Sequence, residues 1–536
     1  MKIHHIYSLI LSVLLVCGCS SVQSNQLEKS KKVGDKSLEK MVIELLNIKD
    51  SKEQNKIIES IISANPSIDK VECFIKKGRE YNSDVTTDWQ TSENICLDGK
   101  SRPYHFYVPK TYNPDQKYPI IIFLHGGINY PELKNEEFIK NRYNLWADPE
   151  QEEEFIYIIP VTNMGAMWWT EAGVYHLFEA IEKIKQKYNV DENRIYVSGA
   201  SDGGSGVYYL SLYHNTNFAG FISLIGHILV AQMGGQPIYI PNLRNKPIYV
   251  LSTGKDELYP AEEMKPFIEV MKNAGVPVTF KIYPDIGHNL DYWYEEKPVL
   301  LDFIKLNVRN PLSGKLSLET VITDLGRASW VQINEIKNVN NNADLPDYNV
   351  MFVPQGVRLG IYVDHAYDGA GVKINSVEKK SLAEKFNLQK DDIIIQFDDT
   401  EIRIFTDLVQ VIRSKKPGDQ ASLKIKRNND VKDFTGQFEK SEPQSAFNRD
   451  KTSGRMEIIV HKNKIEVKVK NISRYTLFIS KDQFDINKEI EVYTNDKISF
   501  KGKVKPDLKF MLEQAGKDKD RTMVFWGKIE IEVTQK

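Results

Sequence analysis

Chemistry is first visible in the segment Gly199-Ala200-Ser201-Asp202-Gly203. Arg194 to Ser198 reads as a strand running into Gly199, and Gly204 to Tyr213 as a helix running out. Small residues around a serine let the backbone turn sharply from strand to helix, and that turn lifts the hydroxyl above the sheet edge. A serine hydroxyl needs a base to take its proton, and the base needs a carboxylate to fix its tautomer. Leu251-Ser252-Thr253-Gly254-Lys255-Asp256 and Tyr283-Pro284-Asp285-Ile286-Gly287-His288 each place such a group just past a predicted strand. Ser201, Asp256 and His288 are therefore the candidate nucleophile, acid and base. The rivals fit less well: His227 precedes the acid, His176 lies on a predicted helix, Asp285 sits inside the His288 loop, and Asp302 falls on the terminal helix.

An acyl transfer also needs donors aimed at the tetrahedral oxyanion. Strand Ile120 to Leu124 ends in His125-Gly126-Gly127, where the absence of side chains lets backbone amides approach a substrate. The Gly127 and Asp202 N–H groups are the expected oxyanion hole, and His125 is expected to be structural. Trp168 and Trp169 are the candidate substrate pocket, with buried packing as the alternative.

These residues need a scaffold that brings strand ends together. Tyr118 to Leu124 and Phe155 to Val161 are continuous apolar runs, as a doubly covered parallel strand requires. Further strands at Phe218 to Ile225, Pro247 to Ser252 and Val278 to Tyr283 alternate with helices at Val174 to Tyr188, Ala261 to Ala274 and Lys297 to Leu306. This alternation predicts an α/β architecture with helices on both faces of a parallel sheet.

With Val190-Asp191-x-x-Arg194-Ile195 ahead of the elbow, and Gly287-His288 after it, residues 100–309 resemble bacterial α/β-hydrolases of the carboxylesterase, feruloyl-esterase and dienelactone-hydrolase group. The resemblance implies a doubly wound α/β-hydrolase sheet and hydrolysis of carboxylic esters through an acyl-enzyme, with no metal and no organic cofactor. Asp202-Gly203-Gly204 departs from the Met-Gly-Gly of many members and puts an acidic side chain near the site. A serine peptidase using the same three residues, and a catalytically silent scaffold, are the alternatives.

Residues 356–440 resemble bacterial PDZ domains of the periplasmic-protease type. Arg358-Leu359-Gly360-Ile361 matches the loop that captures a peptide C-terminal carboxylate, Lys390-Asp391-Asp392-Ile393-Ile394 a turn and strand, Phe405 to Ser414 the groove helix, and Lys416-Pro417-Gly418-Asp419 the next turn. Asn387 and Asp391 replace usual glycines, and both residue types tolerate left-handed backbone. The resemblance implies a peptide C-terminus as a partner.

A chain of 536 residues is too long for one core. A net charge of -2 offers no basic surplus for nucleic acid. Met1-Lys2, the apolar run Ile6 to Val16, and Val16-Cys17-Gly18-Cys19 read as an export signal. The stretch also resembles a bacterial lipobox, with Cys19 as the acylated (palmitate-bearing) residue after small Gly18 and Cys17 a poorer fit after Val16. The expected location is the cell envelope, membrane-anchored by lipid, at the outer membrane if the cell is Gram-negative. Cys73 and Cys96 then remain, either as a disulfide or as two thiols. The expected organisation is a lipoprotein signal peptide (1–18), a tether (19–35), a helical N-terminal cap (36–97), the hydrolase domain (98–309), the first part of a β-rich domain (310–350), the PDZ domain (351–445) and the second β-rich part (446–536). The ester substrate, small or polymeric, is not specified by these residues.

Overall fold

The computed structural model describes residues 34–133, 135–147, 154–338, 342–353, 356–364, 367, 369–428, 430–440 and 442–533. The expected signal peptide, Cys17 and Cys19 lie outside them. The chain divides into two compact units. One runs up to Tyr348 and resumes at Arg449; the other is Asn349–Asn448.

In the first unit, helices α1 (Asp35–Asn47), α2 (Ser51–Ser63) and α3 (Ile68–Lys77) precede strands β1 (Asp88–Ile95), β2 (Ser101–Val108) and β3 (Tyr118–Leu124). Then come α4 (Glu136–Tyr143), β4 (Ile156–Pro160), α5 (Glu171–Lys187), β5 (Val190–Ala200), α6 (Asp202–Tyr213), β6 (Gly220–Leu224), β7 (Ile248–Thr253), α7 (Ala261–Asn273), β8 (Val278–Tyr283) and α8 (Trp293–Leu306). Among the described residues the eight strands form one sheet in the order β1-β2-β4-β3-β5-β6-β7-β8. β1, β2 and β4 pair antiparallel in turn, and β4 through β8 pair parallel. This is the doubly wound α/β-hydrolase sheet the sequence implied. Alternation along β3 explains its two coats. Ile121 and Phe123 pack with Ile139 of α4 and with Leu300 and Ile304 of α8. Ile120, Ile122 and Leu124 are equally buried on the opposite face, and α6 packs against β3, β5 and β6.

The expected helical cap needs a correction. Only α1 to α3 are helical; β1 belongs to the hydrolase sheet, so that domain starts before residue 98. β1 pairs on one side only and carries Gln90, Thr91, Ser92, Glu93 and Asn94 in its middle, so no apolar alternation betrays it. The cap helices bury Leu45, Ile58, Ile61 and Val71 against Met511 and Leu512 of helix Leu508–Asp518, and against Trp526. The disulfide is also absent. Cys73 is an exposed thiol on α3 and Cys96 a buried one just past β1, so the two belong to different surroundings.

Strand Lys315–Thr320 pairs with Gly454–His461, and Val331–Ile336 pairs with Ile472–Ile479. The β-rich pieces before and after Asn349–Asn448 thus share two sheets and one core containing Trp330, Ile333, Val467, Leu477 and Phe525. The second unit orders strands Ile361–Val363, Val372–Val377, Ile393–Phe397, Gln420–Arg427 and Asp430–Gln437 into its own sheet. Its core joins Leu359, Ile374, Ile394, Phe397 and Leu408, the last on helix Phe405–Ser414. Asn387 and Asp391 take φ of 52° and 71°, the left-handed backbone expected of them.

Candidate active site

Ser201 stands between β5 and α6 with φ 58° and ψ −121°, a conformation costly to any residue with a Cβ. The glycines around it answer for close packing. A Cβ on Gly203 would lie 1.8 Å from the Leu124 carbonyl oxygen, and one on Gly199 would lie 2.5 Å from the Gly203 oxygen. The Ser201 N–H donates to the Leu224 carbonyl at 3.0 Å. The elbow is therefore fixed from β3 on one side and β6 on the other.

The loops after β7 and β8 bring the other two groups in. Asp256 accepts the Leu258 and Tyr259 N–H groups through Oδ1, each at 2.8 Å, and is 3% exposed. His288 Nδ1 lies 2.7 Å from Asp256 Oδ2, and His288 Nε2 lies 2.8 Å from Ser201 Oγ. A carboxylate can only accept, so Nδ1–H donates to Asp256 and Nε2 accepts the Ser201 hydroxyl proton. Burial presses the Asp256 carboxyl upward, but the bonds from His288, Tyr259 and Leu258 outweigh it and leave the group below the ordinary carboxylate range. The structure thus brings Ser201, His288 and Asp256 into one relay.

The His288 loop is clamped at both ends. Tyr283 and Tyr292 stack with ring centroids 5.0 Å apart. Glu296 on α8, fully buried, accepts hydrogen bonds from Tyr249 of β7 and from Lys281 and Tyr283 of β8. The rival histidines are engaged elsewhere. His227 accepts the Leu229 N–H, and burial pushes it down to about 4, offset in part by the Asp256 charge. His176 is buried on α5, and burial likewise takes it to about 4.

His125 is structural. Its Nδ1 donates to the Gly126 carbonyl at 2.9 Å, and its Nε2 accepts the Thr162 N–H at 3.1 Å. Gly126 presses on the nucleophile, where a Cβ would meet the Ser201 Cβ at 2.8 Å. Gly127 follows at φ 65° and lines the cleft beside Ser201. Asp202 is the first residue of α6, where no helical acceptor is available to its N–H. The two expected oxyanion donors therefore flank Ser201.

Trp168 and Trp169 are corrected. Each is 1% exposed. The Trp168 indole N–H donates to the His125 carbonyl at 2.9 Å, and its Cβ packs where a Gly206 side chain would be. Trp168 supports the glycine loop from behind, Trp169 packs against Gly234, and neither is among the residues lining the cleft. The cleft, about 450 Å³, is walled instead by Phe138, Arg142, Tyr143 and Leu145 from the β3–β4 connection and by Leu290 and Asp291 beside His288. Sequence reasoning missed that wall because Glu136–Tyr143 has little amphipathic pattern and only Ile139 is buried. Among the described residues, no group of three or more His, Cys, Asp or Glu is arranged to hold a metal ion.

In the second unit, Gly360 takes φ 83° and lies against Ser381, Leu359 is buried, Arg358 is 80% exposed, and Ile361 opens the edge strand.

Residues 148–296 match the dienelactone hydrolase family and residues 357–436 match the PDZ domain. Dipeptidyl-peptidase 5 of Porphyromonas gingivalis is 32% identical over 130 residues, 22% of this chain and 18% of that protein. A bifunctional acetylxylan esterase/xylanase of Neocallimastix patriciarum is 23% identical over 175 residues, 32% of this chain and 24% of that protein. The chain spans less than a quarter of the length of these relatives. A thermostable esterase structure aligns over 41% of this chain and 63% of its own, at 22% identity and a TM-score of 0.36. The chain thus carries a domain of the dienelactone hydrolase family and a PDZ domain.

Proposed function

We propose that this protein is a serine hydrolase that cleaves carboxylic esters through an acyl-enzyme on Ser201. The observation that carries the reading is the continuous relay from Ser201 Oγ through His288 to Asp256, with contacts of 2.8 and 2.7 Å. His288 Nε2 takes the Ser201 proton as Oγ attacks the carbonyl carbon. Asp256 holds the imidazolium that forms. The Gly127 and Asp202 N–H groups receive the oxyanion. His288 then hands its proton to the departing alkoxide, and in the second half it deprotonates the water that releases the acid. In Ser201→Ala, kcat on an activated aryl ester falls at least about a thousandfold. Retained turnover would refute the assignment.

The likeness to dipeptidyl-peptidase 5 favours a second reading, a serine peptidase using the same residues. A panel of matched esters and amides separates the two. The N-terminal sequence supports an envelope protein held by an acylated Cys19, and the loop Arg358-Leu359-Gly360-Ile361 supports capture of a peptide C-terminus by the PDZ unit.

A further inference from the structure

The sequence places an acidic residue directly after the nucleophile, and its carboxylate does not face the substrate. Asp202 is 7% exposed, and the cleft is lined by its neighbour Ser201 but not by Asp202 itself. Its Oδ2 accepts the Ile128 N–H at 3.0 Å. We propose that the Asp202 side chain is a positioning residue for the oxyanion hole, holding the Gly127 N–H on the reacting carbonyl by gripping the peptide that follows it. This rests on the Ser201 reading above.

Two peptide planes set the direction of the Gly127 N–H. A trans peptide points its C=O and N–H in opposite directions. The Gly126 carbonyl and the Gly127 N–H share one plane, and His125 Nδ1 fixes that plane from the carbonyl side. The Gly127 carbonyl and the Ile128 N–H share the next plane, and Asp202 fixes it from the amide side. Between the two planes stands only a glycine Cα at φ 65°, free by itself to swing. With both planes held, the Gly127 N–H direction is set before substrate arrives. Without Asp202, one anchor remains, and it comes from the ring of the residue next door.

A carboxylate so near a developing oxyanion would oppose it unless its charge were engaged elsewhere. Asp202 sits in the first turn of α6, where the helix favours an anion. The Tyr259 hydroxyl lies beside both Asp202 and Ser205. The Ser205 hydroxyl in turn donates to the Ser201 carbonyl at 3.3 Å and accepts the His227 N–H at 3.0 Å. The acid is thus wired into the underside of the elbow.

The test is the full-length protein with Asp202→Ala and Asp202→Asn, with rates expressed per active site titrated by a fluorophosphonate. Alanine removes the acceptor; asparagine keeps a carbonyl oxygen in the same place. Asp202→Ala should lower kcat by about 10- to 100-fold with KM held within about twofold, because the lost donor acts in the transition state. Asp202→Asn should recover to within about fivefold of the parent. Should alanine give no titratable enzyme, Asp202→Ser, too short to reach the amide, is expected to behave as alanine would. An alanine or serine variant with full kcat per titrated site overturns the proposal, as does an asparagine variant as impaired as alanine. Failure of the unaltered protein to label on Ser201 would instead sink the hydrolase reading itself.

Discussion

Ser201 and Gly360 both occupy backbone with positive φ, at 58° and 83°. Around Ser201 every neighbour is committed: Gly203 against the Leu124 carbonyl, the Ser201 N–H on Leu224, Asp256 held by two amides, His288 between acid and alcohol. Around Gly360 the backbone is held but the side chains turn outward: the Gly360 carbonyl accepts the Glu378 N–H and the Leu359 carbonyl the Ala383 N–H, each at 2.9 Å. Arg358 is 80% exposed and pairs with Glu378 at 3.5 Å, Tyr362 is 56% exposed, and among the described residues Ile361–Val363 is the edge of its sheet. The first region holds a serine in a conformation that costs about 1–3 kcal/mol, and buried packing holds it there. The second uses a glycine, which meets no such cost, just ahead of a strand that is an edge among the described residues. Bond-making needs atoms that do not move, whereas strand addition needs backbone that is unpaired.

The contrast breaks hardest at the acid. In Asp256→Asn, His288 loses the charge that holds its tautomer, and kcat should fall by about 10³–10⁴ while the protein stays folded. An ester-turnover assay with a circular dichroism control decides it, and near-parental kcat would remove Asp256 from the relay.

Acid should also treat the two units differently. Burial holds His176 and His227 down to about 4, against about 6.5 in an unfolded chain. Between those values the unfolded chain takes up protons that the folded unit refuses. Stability is therefore full above pH of about 6.5 and falls by a few kcal/mol as pH drops toward 4. All 7 tryptophans lie outside Asn349–Asn448, so their fluorescence reports the first unit alone. Urea midpoints by tryptophan emission should drop between pH 7 and 4.5, while amide exchange in Asn349–Asn448, where no described residue is a histidine, changes little. A pH-independent tryptophan midpoint would contradict this.

The smallest effect on chemistry belongs to the second unit. In Gly360→Val, where even a Cβ would lie 2.1 Å from Ser381, affinity for a C-terminal peptide should fall at least about tenfold. Ester turnover should stay within about twofold, and removal of residues 351–445 with a short splice should leave a folded hydrolase. Calorimetry and kinetics on the same samples read both, and a matching loss of turnover would dissolve the separation.

Much of the catalytic region was legible because its signals are local. The Gly-x-Ser-x-Gly spacing, the glycines at Gly126 and Gly127 and the strand-end Asp256 and His288 are properties of short segments. β1 was not legible, since a half-exposed edge strand carries no apolar alternation. Trp168 and Trp169 were misplaced because an indole fills a pocket wall and a core equally well, and only the tertiary contacts decide, with Gly206 and the His125 carbonyl for Trp168 and Gly234 for Trp169. The cap's true partner, helix Leu508–Asp518, is remote in sequence and could be identified only by packing.

By itself the sequence determined the residue types and the order Ser201, Asp256, His288 on a strand–helix alternation that has few ways to fold. The tertiary structure decided that their atoms meet at 2.7 and 2.8 Å, that Asp202 turns inward to Ile128, and that Phe138 and Arg142 rather than two tryptophans wall the cleft. Periodicity and turn chemistry act over a few residues, whereas the direction of a side chain is set by neighbours that arrive from anywhere in the chain.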